Sequence, residues 1–440
     1  MLSFFSSDSK SRNLLSFGYF ALLTLWATLY VSIIGRTMLA NALLYSSDRG
    51  IVSINDFVNL YMAGTMGLKA VPQHIYDPLY QLACSNNLIA PVHLDKTFLC
   101  PYPPIDFLLL APLSVLPMRP AFVAWLIFSC AFFVACIAKV VKQEARLTRK
   151  DLIWLLVGTF ASLPSDAALY LGEVSWIMTG LVLLYYLAFV KKADVTAGML
   201  LALTVAKPTY TPFLCLPSLA WGRWKLLLVA AITETVLFAI SLTVFGWDNL
   251  STYVNVLLNG HKNPLFWGHN PERMASMRGV LTIVNAEHAM SINLCLMLLA
   301  MIWVFFQWRT IRTNVGASDS ADKHEAVRWA MALTVVASLV FNPHEHLHDC
   351  LPMVLPALLT LNTLSFFEVR SITPISLRIW HVCILLYPLL SIALFLFWEF
   401  YPPLHLYAFP FLVLHVVLLI AGNIYWLNNV RNRAQNTVAS

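Results

Sequence analysis

Charge is scarce in this 440-residue chain. Only 11% of residues are Asp, Glu, Lys or Arg, against roughly a quarter in a soluble globular domain, so water could not wet its surface. Strict period-two alternation is missing from the long apolar stretches, which argues against a β-barrel. No internal repeat, low-complexity tract, P-loop or nucleotide-binding pattern occurs, which argues against a soluble nucleotide as direct substrate. Cysteines number eight. Six lie in or beside apolar runs as packing residues. Cys84 and Cys100 instead share one loop, where they either pair in an oxidising compartment or remain free thiols. Soluble enzyme, nucleic-acid binder and disordered scaffold are all excluded.

What is abundant is apolar sequence, at 59% of the chain. Uncharged stretches at 14–34, 120–138, 289–306, 379–398 and 404–427 are long enough to approach or exceed the span of a bilayer core. The first is too long for a signal peptide and lacks a small-residue cleavage site. The chain therefore reads as an all-α polytopic membrane protein, one integral domain over 1–440. Nineteen of the 28 Lys and Arg residues fall in clusters at 10–12, 139–150, 191–192, 223–225, 309–328, 370–378 and 431–433. The positive-inside bias places those clusters, and both termini, in the cytoplasm. The net charge of +6 is thus a topology signal rather than a nucleic-acid footprint. Residues 105–118 make only about 21 Å of helix, short for a core of about 30 Å. The crossing count is therefore eleven to thirteen. Residues 194–206 and 208–221 read as a hairpin whose tip, Lys207-Pro208, stops within the membrane beside a cavity.

Three outward segments carry most of the polar chemistry: 36–104, 246–288 and Asn342-Pro343-His344-Glu345-His346-Leu347-His348-Asp349. Function is expected where they meet, on the outer face. Asp56 follows the first crossing. Partial desolvation would make it a base, while its position before a helix also suits an N-cap. His344, His346 and His348 share one face of an extended segment. That spacing fits proton transfer or phosphate contact, fits a metal less well in the absence of an Asp-x-Asp or Asp-x-Glu near Asp56, and also fits a structural helix cap. Lys207 is a cation where charge is expensive. It suits an anionic lipid head group, or it snorkels to the interface. Arg278, with Arg273 and Lys262 upstream, suits phosphate oxygens, or is a solvated loop charge. Glu173 tops a span on the outer side. Glu234 lies inside a span and needs a partner or a proton. The prolines after Tyr102 fix the entry angle of the next segment.

Taken in order, these islands resemble a known family. The series begins with Asp56-Phe57, Tyr61-Met62-Ala63-Gly64, Leu68 and Ile75-Tyr76-Asp77, and continues with Tyr102-Pro103-Pro104-Ile105-Asp106-Phe107-Leu108-Leu109-Leu110-Ala111-Pro112-Leu113. Gly172-Glu173-Val174, Ala197-Gly198, Ala206-Lys207-Pro208, Ser276-Met277-Arg278-Gly279 and Asn342-Pro343-His344-Glu345-His346 complete it. The set, from about residue 50 to 365, resembles glycosyltransferase family 87, polyprenol-phosphate-mannose-dependent mannosyltransferases of the GT-C superfamily. The resemblance implies a GT-C-like bundle with an active site built from outward loops. It implies a polyprenyl-phosphate-sugar donor, a lipid or glycan acceptor, inversion at the anomeric carbon, and no nucleic acid. Asp56 would be the general base, His346 or His348 would assist, and Lys207 and Arg278 would hold the donor phosphate. Tyr61, Tyr102, Glu173 and His344 are expected as substrate contacts. No cofactor or metal is required, because the leaving phosphate is already an anion that fixed cations can stabilise. Glu173 stands where the family usually has Gln, and Asn342 where Ser is common, which bears on sugar and acceptor. Short loops without soluble domains suggest a bacterial plasma membrane. Two other classes compete: a transporter or flippase of lipid-linked sugar, and a non-catalytic subunit of a surface-polymer assembly system. Transporters place ionisable groups at the midplane and show inverted repeats, and neither mark is seen.

Overall fold

The computed structural model describes residues 17–29, 32, 44–46, 52–54, 56–69, 75–91, 93–98, 100, 102–144, 147–259, 263, 265–267, 271–314, 321–360, 374–398 and 408–431. Lys10, Arg12, Lys262, Arg370 and Arg433 lie outside them, as do both termini. The chain is an all-α polytopic membrane protein. Helix α1 (Phe17–Leu29) precedes a small antiparallel pair, β1 (Leu44–Ser46) with β2 (Val52–Ile54), in which Leu44 faces Ile54. Two helices follow in the first long loop, α2 (Asp56–Lys69) and α3 (Pro78–Ile89). Asp77 caps α3 by accepting from the Leu79 and Tyr80 amides, and Pro78 sits at its first position, where a missing N–H costs nothing. Strand β3 (Thr97–Phe98) then leads to α4 (Pro104–Leu110), which tightens into a 3₁₀ turn over Ala111–Val115. The 105–118 stretch is thus a short helix, as its length predicts.

The bundle proper starts with α5 (Met118–Gln143). Helices α6 (Arg149–Phe160) and α7 (Leu163–Leu171) are bent 63° apart, and a Thr148–Asp151 capping box opens α6. Helix α8 (Ser175–Val190) follows. Helices α9 (Asp194–Leu203) and α10 (Thr211–Trp221) form the expected hairpin, with Lys207 in the turn. Helix α11 (Trp224–Asn259) breaks at Gly246. After β4 (Phe266–Trp267) come α12 (Met277–Val284), α13 (Ala289–Asn314) and α14 (Ala321–Phe341). A 3₁₀ turn over Leu347–Met353 runs into α15 (Val354–Thr360), and α16 (Ile375–Trp398) and α17 (Ala408–Tyr425) follow, the latter running into a π-helical turn over Trp426–Arg431.

Six of the described helices are long and apolar enough to cross a membrane, or seven if α6 and α7 form one broken span. Hydropathy alone led to the larger count of eleven to thirteen. The difference lies in apolar helices of 10–17 residues, among them α8 and the α4, α9 and α15 segments, which reach at most about 26 Å.

Helix α14 lies almost wholly inside the bundle, against α10, α13, α15 and α17. Large aromatics fill that core. Trp329 meets Trp380 edge-on at 5.0 Å, and Trp308 donates to Thr334 at 2.9 Å, so its indole N–H is not orphaned. A second core joins the first long loop to α4, α5 and α11, where Phe57, Leu60, Tyr76, Phe107, Phe122 and Phe245 pack together. There α2 lies directly on α4. A Cβ at Gly67 would stand 2.0 Å from the Phe107 carbonyl oxygen, so only glycine permits the approach.

Candidate functional site

Hydrogen bonds tie the three outward segments to one another. Strand β3 of the first pairs in parallel with β4 of the second, and the Thr97 amide donates to the Leu265 carbonyl at 2.9 Å. The second holds the third through the Ala275 amide on the Glu345 carbonyl at 2.7 Å and the Arg278 guanidinium on the Pro343 carbonyl at 2.6 Å. Between them, the ends of several helices deliver polar side chains. Asp56 is in the first turn of α2, anchored by Phe57, which packs on Phe122 at 4.8 Å. Gly172 ends α7 in the left-handed conformation, with φ +69°, and Trp125 donates to its carbonyl at 2.8 Å. That reversal sets Glu173 and Ser175 at the mouth of α8. Lys207 comes from the α9–α10 turn, and His348 and Asp349 come from the 3₁₀ turn before α15.

Asp349 is the hub. It is fully buried and ion-paired with Lys207. It also accepts from Ser175 at 3.2 Å and from the His346 amide at 3.1 Å, and lies 3.4 Å from His348 Nε2. A buried charge is tolerated when its lone pairs are met in this way. The same imidazole nitrogen stands 3.7 Å from Glu173 Oε1, while Glu173 Oε2 accepts from the Val174 amide at 3.0 Å. Burial, then the nearby Glu173, push the Asp56 carboxyl well above the ordinary aspartate range, and Lys207 only partly offsets them. For Lys207, burial favours the neutral amine, but Asp349 and Glu173 outweigh it and hold the ammonium charged. Burial, then Glu173, raises the Tyr102 phenol.

A second buried carboxyl braces the third segment. Glu345 has no exposed surface. It accepts from Asn342 Nδ2 and, at 3.5 Å, from the Tyr210 hydroxyl, which also donates to the Asp349 carbonyl at 2.5 Å. Burial and the nearby Asp349 charge raise Glu345 well above the ordinary glutamate range.

Residues 98–343, more than half of the chain, match the model of glycosyltransferase family 87. The chain belongs to glycosyltransferase family 87. No curated protein matches it. Membership makes the chain a membrane glycosyltransferase, which uses a sugar donor and an acceptor in the membrane. Of the candidate residues of this family 87 enzyme, Tyr102, Glu173, Lys207 and Arg278 lie within the matched stretch. Asp56 and the three histidines lie outside it.

Within the glycosyltransferase, Asp56, Glu173, Lys207 and His348 converge as a set, although they stand far apart in sequence. The three histidine rings form a row, with His344 and His346 centroids 4.8 Å apart and His346 and His348 stacked at 5.8 Å. Arg278 is half-buried, and burial lowers its pKa; its guanidinium clamps the loop that carries the histidines. Tyr61 has a buried ring, and its hydroxyl donates to the Leu116 carbonyl at 2.8 Å, bracing α2 against the segment before α5. Among the described residues, no group of three His, Cys, Asp or Glu is arranged to hold a metal ion. Cys84 and Cys100 are free thiols, the second fully buried. Asp349, Ser175, Tyr210 and Glu345 were missed as individual site residues. For Asp349 and Glu345 the signal was their place in the His-rich segment; nothing local marks Ser175 or Tyr210.

Proposed function

We propose that this glycosyltransferase moves a hexose, with mannose favoured, from a polyprenyl-phosphate-sugar donor to a lipid or glycan acceptor on the outer face of the membrane. The membrane on this reading is a bacterial plasma membrane, with both termini cytoplasmic. The observation that supports the reading is a buried cation, Lys207, paired with Asp349 beside His348 and Glu173, near enough to Asp56 for Glu173 and Lys207 to act on its carboxyl. Asp56 takes the proton of the acceptor hydroxyl as that oxygen attacks the anomeric carbon. The bond from that carbon to the donor phosphate oxygen breaks, its electron pair leaves with the phosphate, and the configuration inverts. Lys207 supplies positive charge to the leaving phosphate by sharing its ammonium with Asp349, and Arg278 reaches the phosphate from its place on the Pro343 carbonyl. His346 and His348 assist proton movement, and Tyr102, Glu173 and His344 contact the sugar or acceptor. The chemistry needs no strong general acid, because the leaving group is an anion, and no metal enters the scheme.

The test uses purified wild type and Asp56→Asn with radiolabelled polyprenyl-phosphate-mannose and a membrane lipid extract, with and without chelator. Label transfer by wild type that chelator leaves intact and Asp56→Asn lowers by a factor of about 10² or more supports the reading. Equal transfer by Asp56→Asn refutes the base assignment. Loss on chelation brings in a metal, and no transfer by wild type refutes this donor.

A further inference from the structure

A partly open cavity of about 80 Å³ lies where α1, α6, α15 and α16 meet the 3₁₀ turn before α15. A single water needs about 10–15 Å³ by the same measure, so this is more than a packing defect. No charged residue lines it. Each of its four hydroxyls is already hydrogen-bonded within the protein: Tyr19 to the Leu385 carbonyl, Thr159 to the Leu155 carbonyl, Ser162 to the Thr159 carbonyl, and Tyr387 to His415 Nε2. The Cys350 thiol faces the His346 carbonyl at 3.7 Å. Such a wall suits hydrocarbon and holds water poorly. Gly158, in the body of α6, lines the same space, and a Cβ there would meet no atom within 4 Å. Glycine inside a helix is unfavourable beside alanine, and a void deprives its lining of contacts. Both penalties fall at one place, and an apolar occupant removes the second.

We propose that this cavity receives the phosphate-proximal isoprene units of the donor lipid, and that Gly158 keeps it wide enough for the branched chain. This rests on the reading of Lys207 as the donor-phosphate residue. Asp349, which pairs with Lys207, and Cys350, which lines the cavity, are consecutive in the 3₁₀ turn, so their Cα atoms stand about 3.8 Å apart. A polyprenyl chain is esterified directly to its phosphate, so its first units lie close to whatever cation holds that phosphate. An acceptor lipid differs, because a head group separates its acyl chains from the reacting hydroxyl. From Cys350 the lining follows the turn into α15 as far as Ala357, about 12 Å of helix. Leu23 of α1 is buried at the same cavity, and Tyr19 ties α1 in place through its hydrogen bond to Leu385 at 2.7 Å and its stacking on Trp154 at 5.9 Å. The cavity thus leads away from the charged junction into the apolar bundle.

Two measurements test it on the full-length protein in detergent. The first is equilibrium binding of radiolabelled polyprenyl phosphate, which carries no sugar and so reports binding without transfer. Gly158→Leu fills the cavity and should weaken binding about 10-fold or more, the equivalent of roughly two buried methylenes, and Gly158→Ala should weaken it less. Neither change should lower stability in SDS titration, since the new side chain enters open space. Tight binding by wild type with an equal Kd in Gly158→Leu overturns the proposal and leaves the Lys207 reading standing. Weakening by Gly158→Leu with none by Lys207→Met keeps the chain in the cavity and refutes the phosphate assignment. No binding by wild type refutes the polyprenyl donor, and the proposal falls with it. A phospholipid that wild type retains in native mass spectra and Gly158→Leu loses, with polyprenyl phosphate binding unchanged, also overturns it. The second measurement uses a polyprenyl phosphate bearing a diazirine on its first isoprene units. Label mapped by mass spectrometry should fall within 154–162 or 350–357; label confined to α11 and α13, whose apolar faces are exposed, overturns the proposal.

Discussion

Breaking the Lys207–Asp349 pair is the most informative perturbation of this site. Asp349 has no exposed side-chain surface and Lys207 only 14%, so solvent can screen neither charge effectively. Asp349→Asn is nearly isosteric. It keeps one oxygen, enough for either Ser175 or the His346 amide, which donate to different carboxylate oxygens, and it removes the charge that balances the ammonium. Removing one partner of a buried pair costs about 3–5 kcal/mol, because the other charge is left uncompensated. Lys207→Met strands the opposite charge, although Asp349 then retains Ser175, the His346 amide and His348 as partial compensation, so its cost falls at the low end of that range. In Lys207→Met/Asp349→Asn neither charge remains. The double variant is therefore expected to recover about 2 kcal/mol or more relative to the sum of the single changes. The assay is SDS-titration unfolding of the four proteins in one detergent, with label transfer measured alongside. Transfer should fall about 10-fold or more in every variant, since Lys207 is lost or its place beside Asp349 is. Stabilities that add to within about 0.5 kcal/mol would refute the reasoning, because independent sites add and a shared buried pair cannot.

Further outcomes follow from single contacts. In Gly172→Ala the new Cβ would meet Phe122 Cε2 at 2.6 Å and Phe57 Cβ at 2.7 Å at a positive φ; a loss of about 2–4 kcal/mol in the same titration, with reduced transfer through displaced Glu173, is expected. Tyr210→Phe removes the donor to the Asp349 carbonyl and should cost about 1–2 kcal/mol in unfolding. Glu345 gives a pH signature. Burial raises its folded pKa, so between the ordinary unfolded value of about 4.3 and that raised value the native state binds the extra proton, and stability falls as pH rises through this window. Glu345→Gln should flatten that decline, and thermal unfolding across pH checks it; an unchanged slope would mean that Glu345 is ionised in the fold.

Much of the site was legible one residue at a time. A charge beside an apolar run is costly, and that flagged Asp56, Lys207 and Glu173 without reference to any partner. Histidines at alternate positions of 344–348 announced a row of rings for the same local reason. At Tyr61, a tyrosine near a candidate base reads alike whether its hydroxyl faces substrate or, as here, the Leu116 carbonyl. The direction of a side chain is set by what α2 packs against, and α4 lies about fifty residues away in the chain.

The crossing count divides along the same line. Hydropathy registers how apolar a run is, and every run it found is a helix or part of one among the described residues; but six or seven of those helices have the length to span, and among the shorter ones α8, α9 and α15 begin or end at the turns around Gly172, Lys207 and His346. Those turns are where the site lies. By itself the sequence determined that the chain lives in a membrane, that its polar groups gather in a few segments, and the family to which it is similar, because composition, charge bias and motif order are properties of the linear chain. Only the tertiary structure decided that Glu173 would face His348 and that Lys207 would be claimed by Asp349. Both pairings join residues more than a hundred positions apart, and contacts over such separations are chosen by which helices bury each other's faces, a choice that no local pattern encodes.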